Sequence, residues 1–179
     1  MSSIVCTHWQ WLKGPTALAG KFHDRKGGRS VVVESICEED MYIWRIFSKV
    51  SGSYNDMSAL ACSPMILDVK AGLRRPRNMK YTLNGRTCRL HYYTADQGYP
   101  LHALFAIPHP NPVTPKRRLY NRKQQAFWTD AERFSSVMPS RFNIILRPAR
   151  FTTTLRIINT GKAVAILHNM AIECTRSPF

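Results

Sequence analysis

The chain has 179 residues, 44% of them hydrophobic, and sets 26 Lys and Arg against 11 Asp and Glu for a formal net charge of +15. Such a length and composition suit one domain, residues 1–179, with a real core, and argue against a disordered chain. The charge draws polyanions such as nucleic acid or an anionic membrane surface, unless it only dresses a solvated basic face.

In chain order, SIVCTHWQW reads as a short strand. KFHDRKGGRSVVVESIC then reads as a turn around Gly27 and Gly28 leading into a Val-rich strand, and MYIWRIFSKV as a third strand. SGSYNDMSALACSPM offers Ser53 or Asn55 as the N-cap of a short helix that Pro64 helps to end. Asp56 falls in that first turn, where the helix dipole favours a carboxylate. KAGLRRPRNMKYTLNGRTCRLHYY begins as a basic loop and becomes a hairpin at Asn84 and Gly85, with Asp96 closing its second arm.

Beyond the Pro-rich HPNPVTP, Phe127, Ala131, Phe134 and Met138 recur at helical spacing as a core stripe, and Pro139 is expected to stop or kink that helix. A last helix follows in TTTLRIINTGKAVAILHNMAIEC, with Leu155, Ile158, Ile166, Leu167 and Met170 available for burial and Gly161 weakening its middle. His168 and Asn169 read as packing residues with satisfied polar groups, and most of the four tryptophans as core. Three early strands, a helix, a strand and closing helices predict an α/β fold, a mixed sheet with helices packed against it.

No apolar run approaches the ~20 residues of a spanning helix, and MSSIVCTHWQW lacks a signal peptide's basic and apolar regions, so a soluble protein with no membrane partner is expected. The cysteines at 6, 37, 62, 88 and 174 are odd in number, scattered and without a C-x-x-C pair. That predicts neither a disulfide framework nor a zinc site, and suits a reducing compartment. A nuclear location rests on charge and analogy, since PKRR is a weak import signal.

Glu132 follows Ala131 and so is turned about 100° from the centre of the buried stripe, where a side chain can face a cleft. Asp96 at a strand end and Glu132 on a later helix can meet there. Two carboxylates from separate elements suit a hard, oxygen-seeking Mg²⁺ or Mn²⁺, which assists phosphodiester cleavage. The plain alternative is two solvated acids, with Glu132 paired to a Lys or Arg on its own helix.

The order of SGSYNDMSALACSPM, YTLNGRTCRLHYYTADQGYP, DAERFSSVMPSRFNIILRPARF and AVAILHNMAIE resembles the nuclease domain of PIF/Harbinger transposases over residues 4–173. The resemblance implies an RNase H-like fold of the DDE superfamily, which cuts and rejoins DNA with three carboxylates and divalent ions. It makes Asp96 the second acid, in AD-x-x-YP, and Glu132 the third, in D-x-E-R, with 35 residues between them. The family's first strand runs like S-I-D-C-x-H-W, where this chain has Val5 in place of the aspartate.

In the two-metal scheme that aspartate bridges both ions, and valine cannot coordinate. Cys6 and His8 suit softer metals, and strand alternation turns Cys6 away from Val5. Gln97 stands where the family usually has Gly, and Ser135, Ser136 and Pro139 interrupt the tract after Glu132. The family's N-terminal DNA-reading region has no counterpart in this sequence.

The reading is therefore a transposase-derived, divalent-metal-dependent endonuclease-like domain, with Asp96 and Glu132 as catalytic and metal-holding residues and catalysis impaired at Val5. The basic loop (Arg74, Arg75, Arg77, Lys80) and helix start (Lys116, Arg117, Arg118, Arg122, Lys123) are placed to hold DNA phosphates. The alternative is a noncatalytic DNA-binding or protein-interaction module, because family transposases resemble proteins that work with a separate DNA-binding partner.

Overall fold

The computed structural model describes residues 2–24, 27–53, 56–71, 80–88 and 92–176. Strand β1 (Ser2–Gln10) is followed by a 3-10 turn (Thr16–Leu18), helix α1 (Ala19–Phe22), and strands β2 (Ser30–Glu38) and β3 (Ile43–Ser51). Helices α2 (Asp56–Ala61) and α3 (Pro64–Lys70), the hairpin β4 (Tyr81–Leu83) and β5 (Arg86–Cys88), and the short strands β6 (Tyr93–Thr94) and β7 (Phe105–Ala106) come next. The chain closes with α4 (Pro115–Arg141), α5 (Asn143–Leu146) and α6 (Thr154–Arg176).

The main sheet has the order β3-β2-β1-β6-β7. β1 and β3 both run antiparallel to β2, whereas β6 runs parallel to β1 and β7 parallel to β6. This α/β architecture, a mixed five-stranded sheet flanked by helices, is the RNase H-like arrangement expected. β2 is buried along nearly its whole length because it lies inside the sheet and is covered on both faces, which is why its run of valines does not alternate with polar residues.

Alternation along β1 feeds two separate cores. Ile4 joins Ile36 with Leu60, Met65 and Ile66 of α2 and α3. Val5 joins Cys37 and Ile43 with Ala131, Phe134 and Met138 of α4 and Val164 and Ala165 of α6. A third cluster gathers Trp9, Trp11, Phe22 and Ile157 near the end of β1. Full burial of each large aliphatic side chain contributes about 1.5–3 kcal/mol before ordering costs are subtracted.

Several sequence expectations hold. The Asn84–Gly85 turn has both residues at positive φ, 51° and 77°, the geometry a tight two-residue hairpin turn requires. Asn169 exchanges two hydrogen bonds of 2.8 Å with the backbone of Ile43, and His168 Nε2 lies 3.1 Å from the Met41 carbonyl oxygen, so this polar pair is satisfied within the packing. Of the four tryptophans, expected mostly in the core, Trp9 and Trp11 are buried, Trp128 is half-buried, and Trp44 is exposed and meets the Tyr42 ring edge-on, so that expectation holds for two. No helix among the described residues is long and apolar enough to cross a membrane.

Other expectations are corrected. Pro64 opens α3 at its first turn, where its missing N–H costs nothing, and Ser53 donates to the Lys21 carbonyl; Asn55 lies outside the described residues. Asp96 stands two residues past β6, and the two-residue β7 carries too little pattern to be seen in the sequence. Helix α4 continues through Pro139 to Arg141, so the stop moves to Phe142, whose N–H donates to the Met138 carbonyl. Phe127 is only half-buried, and the stripe on α4 is instead extended by Gln124.

The largest correction concerns α6. Leu155, Ile166, Leu167 and Met170 are exposed and Ile158 half-buried, while Ile157, Gly161, Val164, Ala165, His168 and Ile172 face inward. Gly161 faces β3, where a Cβ would lie 3.8 Å from Ile46 Cδ1 and 3.9 Å from Ser48 Oγ, ordinary van der Waals contact that would accept an alanine. His168 sits inward because the Met41 carbonyl and the edge of the Phe134 ring, 5.7 Å between centroids, receive it.

Candidate functional site

The site is organised by the point at which the sheet opens. β1 and β6 are in register at Ser3 and Thr94, and the hydroxyls of these two buried residues are hydrogen-bonded. Two residues further along the parallel strands stand Val5 and Asp96. Beyond Thr94 the β6 chain leaves the ladder: Ala95 N still donates to Ala106 O at 3.3 Å, and Asp96 O then accepts from Tyr99 N at 3.1 Å to form a turn. Gly98 and Pro100 suit that bend, and the Tyr99 hydroxyl reaches Cys6 Sγ at 3.4 Å, tying the turn back to β1.

The Asp96 side chain is exposed and its Oδ1 accepts from Gln97 N at 2.6 Å. Glu132 enters from α4. Its neighbour Ala131 packs in the same cluster as Val5, so Glu132 emerges at the flank of that contact, exposed and with no hydrogen bond or ion pair among the described residues. Arg133, the next residue of the helix, pairs with Asp130 at 3.1 Å. The helical ion pair weighed as the plain alternative for Glu132 is therefore made by another acid.

Val5, Asp96 and Glu132 line one open cleft of about 1500 Å³, together with Tyr99, Trp128 and, toward the far end of β1, Asp24. Asp24 is buried and accepts from Gly28 N at 2.9 Å and from Gln10 Nε2 at 3.2 Å, which fixes the turn before β2. Val5 itself is only 7% exposed. The two faces of β1 separate as strand alternation requires, Val5 against α4 and Cys6 toward Val32 and Phe47. No group of three or more His, Cys, Asp or Glu side chains able to hold a metal occurs among the described residues.

The donor set decides what the cleft can hold. Asp96 and Glu132 are the residues that would offer carboxylate oxygens to a hard cation, and Val5 offers none, so the three-carboxylate set of a two-ion site is not met by these three positions.

The basic residues lie elsewhere. Thr114 caps α4 by accepting from Arg117 N at 3.3 Å, and Lys116, Arg117, Arg118, Arg122 and Lys123 are all exposed on its first turns. At 1.5 Å per residue they begin about 24 Å along the helix from Glu132. Lys80 is exposed, and Arg74, Arg75 and Arg77 lie outside the described residues.

Two features escaped the sequence reading. Trp128 lines the cleft beside Glu132. Gln124 is buried on α4 and joins it to both β6 and β7. Its signal was a polar residue seven positions before Ala131, on the apolar stripe itself.

Comparison with curated proteins and with solved structures gives no significant match. The family comparison does: the model described as plant transposon protein matches residues 1–178, and the chain belongs to that family.

Proposed function

We propose that this transposon-derived domain is an endonuclease-like domain of the PIF/Harbinger DDE type, which holds a divalent cation weakly through Asp96 and Glu132 and whose DNA cleavage is impaired at Val5. The observation that carries this reading is the lining of one cleft by both acids and by Val5, which follows by two residues the β1 position paired with Thr94 and shares a core cluster with the residue before Glu132. Bound there, Mg²⁺ or Mn²⁺ would supply Lewis acidity toward a phosphodiester oxygen. The chain's own part is to present two carboxylates at the open end of a parallel strand pair, with Trp128 as an apolar wall and the basic start of α4 as a phosphate rest. The nucleus is the compartment this function requires.

A second reading has an observation of its own. Val5 is integrated into the α4–α6 core and does not leave a vacant ligand position, which favours a noncatalytic module that binds DNA or a separate DNA-binding protein.

Duplex DNA nicking and DNA retention, each with and without Mn²⁺, separate the two. The endonuclease-like reading expects weak Mn²⁺-dependent nicking that disappears in Asp96→Asn and in Glu132→Gln and increases in Val5→Asp. The module reading expects salt-sensitive retention that is indifferent to Mn²⁺ and to both acid substitutions, with no nicking in Val5→Asp.

A further inference from the structure

Gln124 is 5% exposed, yet it lies on the face of α4 that carries Ala131, Phe134 and Met138. Its Nε2 donates to the Ala95 carbonyl at 2.8 Å and to the Ala106 carbonyl at 3.0 Å. Both amide protons are thereby used, one on the residue before Asp96 and the other on β7. Ala95 and Ala106 are themselves joined by a 3.3 Å bond, so the three residues close a small polar triangle at the mouth of the sheet.

The other ties of α4 act elsewhere. Asn121 exchanges two 2.8 Å bonds with the His109 backbone, and the Tyr120 hydroxyl donates to Ile107 O at 3.2 Å, so both hold the helix start to the chain after β7. Ala131, Phe134 and Met138 make apolar contacts, which are non-directional and permit small slides and rotations. Among the described residues, Gln124 is the α4 side chain hydrogen-bonded to the segment that carries Asp96. Glu132 follows it by two helical turns, about 12 Å along the axis.

We infer that Gln124 is a positioning residue: its forked bond to Ala95 and Ala106 fixes the axial and rotational setting of α4, and with it the reach between the Asp96 and Glu132 carboxylates. The inference rests on the reading of these two acids as one site. It deepens that reading, because a cation held by only two carboxylates depends strongly on their spacing.

The test measures the reach directly and needs no metal. Nitroxide labels are placed at Asp96→Cys and Glu132→Cys in a chain whose Cys6, Cys62, Cys88 and Cys174 are changed to serine. Cys37 is kept, since burial pushes its thiol up to about 12 and leaves it unreactive. Pulsed electron–electron double resonance then compares the parent with Gln124→Leu and with Met138→Ala, which removes packing from the same helix face.

The expected result is a narrow distance distribution in the parent, a shifted or broadened one in Gln124→Leu, and a parent-like one in Met138→Ala even where its Tm falls further. Gln124→Asn, too short to reach both carbonyls, gives the intermediate case and stands in if Gln124→Leu does not fold. A Gln124→Leu distribution superimposable on the parent overturns the inference, and so does equal broadening in Met138→Ala. In the Val5→Asp chain, Gln124→Leu is expected to weaken Mn²⁺ binding about tenfold. Absence of Mn²⁺ binding in Val5→Asp, with the distance result as expected, counts against the metal reading and leaves the positioning role standing.

Discussion

The lateral margin of the sheet at β3 and its end margin, where the inner strands β1 and β6 part, are finished in opposite ways. At the β3 margin, α6 closes the structure with polar groups that are matched: Asn169 with the Ile43 backbone, His168 with the Met41 carbonyl, the Tyr42 hydroxyl with Glu173, and Arg176 with Asp40. At the β1–β6 margin the ladder stops at Thr94, and Asp96 and Glu132 are left facing a cleft, where Glu132 has no protein partner among the described residues. Polar groups buried in a fold find partners inside it, whereas exposed carboxylates are solvated and stay open to a ligand.

Substitution at the two margins should break along the same line. The largest effect is expected for His168→Ala, which opens a space beside Phe134 and removes the donor to Met41: a loss of about 2–4 kcal/mol, read by denaturant unfolding. Burial holds the His168 imidazole below its ordinary range; the Met41 carbonyl opposes that shift and Arg141 adds to it. Because the unfolded chain takes the proton first, the stability this residue contributes is present above about pH 6.5 and is lost as pH falls through the folded-state value. A His168→Gln chain should lose that slope, and an unchanged slope would place its origin elsewhere.

Asn169→Ala ranks next. It leaves the Ile43 N–H and carbonyl without their two partners at the sheet margin, for about 1–3 kcal/mol in the same unfolding measurement. At the open margin, Asp96→Asn and Glu132→Gln should each move stability by no more than about 0.5 kcal/mol, since both acids are exposed. Their effect should appear in Mn²⁺ titrations instead. A large loss of stability in either would make that acid part of the fold and erase the contrast between the margins.

How much of this was legible in the sequence depended on what fixed each element. β1 to β3 follow from β-branched and aromatic runs, and the hairpin from Asn84 and Gly85, because local chemistry alone decides them. The face of α6 was misread because that helix carries apolar residues on both sides. The buried, hydrogen-bonded His168 lies on the inward side, and a histidine is not an apolar signal.

Placement at a strand end and on a helix flank makes Asp96 and Glu132 a candidate pair with solvated acids as the alternative, and the resemblance to a transposase family is what favours the pair. Gln124 was invisible for a related reason. A buried amide gains its meaning from the two carbonyls it meets, and these lie 29 and 18 residues away along the chain.

The central claim is that Asp96 and Glu132 are the remaining members of a metal-holding set whose third position Val5 now occupies. Mn²⁺ titration of the Val5→Asp chain, followed by the electron paramagnetic resonance signal of free Mn²⁺, tests it most directly. The account predicts an affinity at least about tenfold above that of the unaltered chain, abolished again by adding Asp96→Asn or Glu132→Gln. Identical titrations for a folded Val5→Asp chain and its parent would contradict it.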